Sequence, residues 1–334
     1  MDRRNERNSA STKKRKIDTT TKKLPIINFT AENLTPGTEN WRSTCKAVRE
    51  AMEEFSSFIG VYDDDGELGP RPELMRSVFS SLKELFDLPE ETKSLNTSEL
   101  PGFGYFGGMW WQLIETVGIG DSTSLESVQS FTKLMWPSGN NNFCQTIYQY
   151  ATEVSKLGEI VTRMIFESYG VEDYCDSFLD STSYLLRANS YRVPHVNETN
   201  VGVSPHGDST FITVLKQDEV GGLEVQYSKN GTWIPVDFPP SSFTFLAGDA
   251  LLAWSNGKIR SCFHRVMMAK KARLSIGLFS FHKGIVEVPE ELAGDDSLQF
   301  RSFDHFGLLK FRYKNESLSS EERVKAFCGV KKDD

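Results

Sequence analysis

The chain has 334 residues, 38% of them apolar with 23 Phe, 10 Tyr and 6 Trp, and a formal charge of -8. That length and apolar content suffice for one large core or two smaller ones, which excludes a short peptide module and a mainly disordered chain. No apolar run approaches the roughly 18 to 20 residues needed to span a bilayer, and the Lys/Arg-rich N-terminus lacks a signal peptide's apolar stretch, so a soluble cytoplasmic protein with no membrane partner is expected.

Residues 1–23 carry nine Lys/Arg against three Asp/Glu, a local charge of +6 that leaves -14 on the remaining residues. This segment reads as a disordered basic tail. Its blocks Arg3-Arg4 and Lys13-Lys14-Arg15-Lys16 resemble a two-part nuclear import signal, although a solvated tail is the more common role of such clusters. The acidic remainder is not expected to bind nucleic acid. The five cysteines, odd in number and without a Cys-x-x-Cys pair, are expected to be reduced thiols.

LPIINF from Leu24 and FIGVY from Phe58 predict short strands. Between them Trp41, Cys45, Val48, Met52 and Phe55 form one helical stripe, and Pro72 opens a second helix with Leu74, Val78, Leu82 and Leu85 on one face. GFGYFG at residues 102–107 spells a dinucleotide-binding glycine pattern, but neither a buried strand before it nor a helix after it is predicted. A mobile aromatic loop is expected instead. A long helix is predicted over about residues 143–169, its apolar residues repeating at steps of four and three until Gly170 stops it. From about residue 183 short β-rich runs take over: FITVL, LEVQY, TWIPV, FTFLA, LLAW and LSIGLFSF, separated by Gly, Pro and Asn-Gly turns. These predict an antiparallel barrel or double-sheet jelly roll. The expected layout is α+β: a mainly helical region over 24–180, a jelly-roll core over 181–285 and a C-terminal helical segment over 286–334 that packs on the core.

The candidate chemistry lies in the β-rich half. His206 and Asp208 flank Gly207, and in an extended segment residues two apart project to the same side. That pair can grip one metal ion, and His264, 56 residues after Asp208 and several strands later, is the candidate third ligand. Two imidazoles and one carboxylate leave coordination positions open, which suits an iron(II) oxygenase, while a zinc hydrolase could use the same set. Arg273 and Ser275 also alternate onto one side, where a guanidinium can grip a carboxylate bidentately and a hydroxyl can add a further bond. Tyr191 can contribute a phenolic hydrogen bond. A metal triad beside a carboxylate clamp is what a keto-diacid needs, and a zinc hydrolase leaves the clamp unexplained.

With these residues in order, the chain resembles the plant iron(II)- and 2-oxoglutarate-dependent dioxygenases over residues 24–330. The resemblance rests on Asn189-x-Tyr191, His206-x-Asp208, GGLEVQ, Gly248-Asp249, SNG, His264-Arg265-Val266 and Arg273-x-Ser275. YLLRANSY and HRVMMAKKARLSIGLFSF are most similar to the AOP-like branch, which includes glucosinolate and steroidal-glycoalkaloid oxygenases. It implies iron at His206, Asp208 and His264, and 2-oxoglutarate at Tyr191, Arg273, Ser275 and Asn189. Oxygen would be the second co-substrate, with ascorbate supporting turnover. It further implies hydroxylation of a small plant specialised metabolite, with desaturation, ring closure or dealkylation open to the same groups. A hormone substrate, or a sensor that binds metal and 2-oxoglutarate without turnover, is the alternative. Phe103, Tyr105, Trp110, Trp111, Phe281 and Lys283 are the candidates for the substrate wall, and a monomer is expected.

Overall fold

The computed structural model describes residues 22–63, 68–107, 113–294 and 297–330. Trp110, Trp111 and nearly all of the basic tail lie outside them. Strand β1 (Ile26–Phe29) leads to helix α1 (Glu39–Phe55), whose first turn is capped by the Thr38 hydroxyl accepting from the Trp41 N–H. β2 (Ser57–Tyr62), α2 (Pro72–Phe86) and α3 (Glu90–Lys93) follow, then the hairpin β3 (Tyr105–Phe106) and β4 (Ile114–Ile119). The glycine-rich segment at 102–107 therefore forms a turn and a short strand. Helix α4 (Leu125–Met135), the long α5 (Asn141–Ser168) and α6 (Cys175–Asp180) complete the N-terminal half. The Asn140 side chain accepts from the Phe143 N–H to start α5, and Gly170 at φ +70° ends it in a conformation that favours glycine.

The second half contains β5 (Thr182–Tyr191), β6 (Val201–His206), β7 (Ile212–Gln217), β8 (Leu223–Gln226), β9 (Trp233–Pro235) and β10 (Ser242–Ala247). After these come α7 (Asp249–Trp254), β11 (His264–Met267), β12 (Arg273–His282) and the small pair β13 (Ile285–Val286) and β14 (Phe303–Asp304). Helices α8 (His305–Lys314) and α9 (Ser320–Cys328) close the chain. Among the described residues the strands form an eight-stranded sheet in the order β1-β2-β10-β7-β12-β5-β4-β3 and a four-stranded sheet β6-β11-β8-β9. This is an α+β jelly roll. The region before residue 181 is not helical alone: β1 and β2 extend one edge of the large sheet, and β3 and β4 the other.

The structure corrects the LLAW segment, which is the helix α7 rather than a strand. Every residue from Asp249 to Trp254 is buried, so neither a two-residue nor a 3.6-residue period is visible in it. Leu252 donates its N–H to Gly248 and Ser255 to Leu251, while Asn256 and Gly257, both at positive φ, turn the chain out. Trp254 then stacks on Phe166 of α5 with ring centroids 4.3 Å apart, which ties this helix to the main core.

The stripe Phe143, Ile147, Tyr150, Val154, Leu157, Val161 and Met164 is buried in the chain's own core, and α5 packs on α1, α2, α4 and β7. All five cysteines are free and buried. Among the described residues no helix is long and apolar enough to cross a membrane.

Candidate active site

His206 ends β6 and His264 begins β11, and the antiparallel register places the two directly opposite each other. Asp208 follows two residues after β6, and the three side chains offer ligand atoms that all lie within 4.8 Å of one another. The Asp208 carboxylate approaches His206 Nε2 at 3.6 Å and His264 Nε2 at 3.9 Å, and the imidazole centroids are 4.2 Å apart. His206 Nδ1 meets the Ser204 carbonyl at 2.9 Å, and His264 Nδ1 meets the Cys262 carbonyl at 3.0 Å. A carbonyl only accepts, so each Nδ1 carries a proton and Nε2 is the atom of each ring left to face the site. That tautomer lets both rings ligate a metal ion through Nε2.

Burial, reinforced by the neighbouring His264, lowers the pKa of His206 and keeps it neutral. For Asp208 burial works upward, but the two histidines, a hydrogen bond donated by Thr213 at 2.8 Å and the Arg312 charge outweigh it and keep the carboxylate ionised. A divalent cation at this point would take over the role of imidazolium, binding the ionised carboxylate and displacing any proton from Nε2.

The metal loop is held from three sides. The Asp249 N–H donates to the Asp208 carbonyl at 2.7 Å, and Arg312 of α8 donates to the Gly207 carbonyl. A Cβ on Gly207 would lie 2.6 Å from Ser261 Oγ and 2.7 Å from Ser320 Oγ, so glycine is required there for close approach. Gly248 is packed tighter still, its missing Cβ facing the backbone of Thr210. Gly248→Ala is expected to destabilise the fold by about 3 kcal/mol through overpacking against immovable backbone, read as a lower urea midpoint.

His305 supports the same loop from below. It is fully buried, its Nε2–H donates to the Ser209 carbonyl at 2.7 Å, and its Nδ1 accepts the His282 N–H at 3.0 Å. Burial holds this imidazole down to about 4, against an ordinary 6.5, and protonating Nδ1 would set it against the His282 donor. The unfolded chain therefore takes up a proton near pH 6.5 that the folded chain refuses until about pH 4. The stabilisation is complete above pH 6.5 and falls as pH drops towards 4, by about 3 kcal/mol in all. Urea unfolding at pH 7 and pH 5 is expected to show this loss, and His305→Gln to reduce the difference between the two.

In the large sheet, Arg273 begins β12 opposite Tyr191 of β5, its guanidinium over the Tyr191 ring at 4.4 Å. It is 3% exposed, donates through Nη2 to Gln217 Oε1 at 2.9 Å, and has one buried nitrogen, Nη1, without a partner among the described residues. Ser275 lies two residues on, between Asn189 and Gln217 in register, and its Oγ accepts from Asn189 Nδ2 at 3.3 Å. A buried guanidinium with a spare donor fits a carboxylate ligand, and the histidine–carboxylate set fits iron(II).

Both clusters line one cavity of about 960 Å³ between the two sheets. Phe103 and Phe281 line it as well, with ring centroids 5.3 Å apart. Tyr105 and Lys283 do not: the Tyr105 hydroxyl donates to Glu115 at 2.7 Å, and Lys283 pairs with Asp121 at 2.9 Å on the surface. Trp110 and Trp111 lie outside the described residues. Arg187, Gln217, Phe279 and Arg312 line the cavity without having been singled out in the sequence. Arg187 had a signal, since it sits two residues before Asn189 and four before Tyr191 on the same face of β5.

A jelly roll that converges two histidines and an aspartate beside a buried, incompletely satisfied arginine defines an iron(II)- and 2-oxoglutarate-dependent oxygenase. The model of the 2OG-Fe(II) oxygenase superfamily matches residues 182–282, which run from the first residue of β5 to the last of β12. The chain belongs to the AOP family of 2-oxoglutarate-dependent dioxygenases. It is 37% identical over 316 residues to the probable 2-oxoglutarate-dependent dioxygenase AOP1 of Arabidopsis thaliana, covering 91% of this chain and 95% of that protein. To the 2-oxoglutarate-dependent dioxygenase AOP3 of the same plant it is 28% identical, covering 92% and 97%. Among solved structures it is similar to the rice dioxygenase for auxin oxidation, with a TM-score of 0.77 and 28% identity over 92% of this chain and all of that one. The protein is thus a non-haem iron dioxygenase that uses 2-oxoglutarate as co-substrate and acts on a small molecule.

Proposed function

We propose that this enzyme hydroxylates a small plant specialised metabolite while 2-oxoglutarate is converted to succinate and carbon dioxide. In this reading His206, Asp208 and His264 hold iron(II), and Arg273, Ser275, Tyr191 and Asn189 hold 2-oxoglutarate. The observation that carries the reading is the single cavity in which the triad, the arginine clamp and an apolar wall of Phe103, Phe279, Phe281, Leu185 and Leu309 meet. Bound iron would supply oxygen activation at the expense of 2-oxoglutarate. The chain's own residues do the rest: Arg273 and Ser275 seat the distal carboxylate, the metal loop fixes the open coordination positions, and the apolar wall excludes water and sets which C–H bond faces the metal. A plant hormone is the second reading, supported by the likeness to the rice protein named for auxin oxidation.

The test is succinate production by purified protein with iron(II), ascorbate and 2-oxoglutarate against fractionated plant extract, with mass spectrometry of the metabolites. Succinate rising together with one compound that gains an oxygen is the expected result. A compound that instead loses two hydrogens or a methyl group would replace hydroxylation by desaturation or dealkylation. Succinate formed only with auxin or another hormone would favour the second reading.

A further inference from the structure

The cavity holds two guanidinium groups that have no carboxylate partner among the described residues, and 2-oxoglutarate accounts for one of them, Arg273. The other is Arg187. The remaining arginines at the cavity are placed differently: Arg312 and Arg323 approach the buried Asp249 carboxylate at 3.8 and 3.9 Å. Arg187 takes part in no ion pair among the described residues. Its Nη2 donates to the Gly102 carbonyl, its Nε is buried without a partner among the described residues, and its guanidinium sits 5.4 Å from the centre of the Phe279 ring.

The position is built for this side chain. In the ladder Arg187 lies between Gly118 of β4 and Gly277 of β12, so neither neighbouring strand places a Cβ beside it. A Cβ on Gly118 would lie 2.5 Å from the Phe103 carbonyl oxygen, which shows that the Gly102–Phe103 turn runs across this face. A Cβ on Gly102 would collide with the Arg187 guanidinium and lie 2.9 Å from the Tyr313 hydroxyl. Three segments thus meet around one cation, at the edge of the apolar wall. Arg187 and Tyr191 are four residues apart on one strand face, so Arg187 stands about 13 Å along β5 from the strand position opposite Arg273. An uncompensated cation partly withdrawn from water is costly unless an anion arrives with the ligand.

We propose that Arg187 anchors a carboxylate on the primary substrate, which makes that substrate an organic acid with an aromatic or similarly apolar body. The carboxylate pairs with the Arg187 guanidinium and the body lies against Phe103, Phe279 and Phe281. This rests on the reading of the cavity as the seat of a small-molecule substrate.

The test uses the full chain loaded with manganese(II) and saturating 2-oxoglutarate, without turnover, and the probe pair phenylacetate and phenylacetamide, which match in shape and differ in charge. Calorimetric titration is expected to show phenylacetate binding about tenfold or more tighter than phenylacetamide. Arg187→Gln should remove that preference, while Arg187→Lys, which keeps the charge but not the planar fork, should retain part of it. Equal affinities for the two probes, or binding of neither, would overturn the proposal using the unaltered protein alone, whatever the variants do to folding. The same holds if the preference survives in Arg187→Gln. The extract experiment separates this inference from the functional reading: succinate formed only with compounds that an anion exchanger does not retain would leave the oxygenase reading standing and remove the role of Arg187. A phenylacetate preference without succinate from any fraction would do the reverse.

Discussion

Asp208→Ala is expected to abolish iron binding at the site and with it all 2-oxoglutarate turnover. The carboxylate is the only anion among the three candidate ligands and faces both Nε2 atoms within 4 Å. Without it two neutral imidazoles remain, a weaker grip that leaves the charge of a divalent cation uncompensated. Even an outer partner of a metal ligand costs about 10- to 100-fold when removed, so losing a ligand should exceed the upper end of that range. The fold should survive, because the deletion costs the hydrogen bond from Thr213, worth about 1.5–3 kcal/mol, and Thr213 keeps its contact with Thr210 at 2.8 Å. Equilibrium dialysis against iron(II), alongside a urea melt and a succinate assay, distinguishes loss of metal from loss of structure. His206→Ala should behave in the same way. Asp208→Ala retaining unaltered iron affinity and turnover would show that the metal sits elsewhere.

How much of this site could be read in the sequence depends on how local each relation is. Alternation along an extended chain made His206 with Asp208, and Arg273 with Ser275, legible as pairs, because a two-residue step needs no knowledge of the partner strand. The meeting of His206 with His264 is a matter of register between β6 and β11, and sequence offered only a spacing compatible with it. The same limit hid the attachment of β1 to β4 to the large sheet: FIGVY was legible as a strand, but its pairing with β10 is a contact between residues nearly two hundred positions apart. The short helix α7 is not legible as a helix because it is buried on every side, which erases the polar face that would reveal its period. Tyr105 is a candidate through the aromatic loop and Lys283 through its place after the last predicted core strand, whereas each is drawn away by a charged partner, Glu115 and Asp121 respectively. Arg187 was open to the alternation argument applied to Arg273 and Ser275, since it lies two and four residues before Asn189 and Tyr191, yet an arginine in a strand reads as a surface charge until its missing counter-ion is seen.

Arg273→Ala is expected to raise the half-saturating concentration of 2-oxoglutarate by about two to three orders of magnitude while iron affinity stays near that of the unaltered protein. The guanidinium is held in place before the ligand arrives: Nη2 is fixed by Gln217, Nε points to the Val220 carbonyl at 3.4 Å, and the plane rests on Tyr191. The spare Nη1 lets it meet a carboxylate without reorganising. Hydrogen bonds to a charged group contribute about 1.5–3 kcal/mol each; taken near the lower end of that range, a two-pronged grip is worth about 3–4 kcal/mol, which at 1.4 kcal/mol per decade gives the stated range. Arg273→Lys retains the charge and should fall between, since an ammonium cannot serve Gln217 and a carboxylate in one plane. The alanine variant also leaves Gln217 Oε1 buried without its donor, costing about 1–3 kcal/mol of stability, so the urea midpoint should drop as well. Rates at saturating 2-oxoglutarate should recover much more than rates at low 2-oxoglutarate, because the metal triad is untouched and the lost interaction is one of binding. Succinate formation measured across 2-oxoglutarate concentrations checks this, and an unaltered half-saturation point in Arg273→Ala would place the co-substrate's carboxylate on another residue.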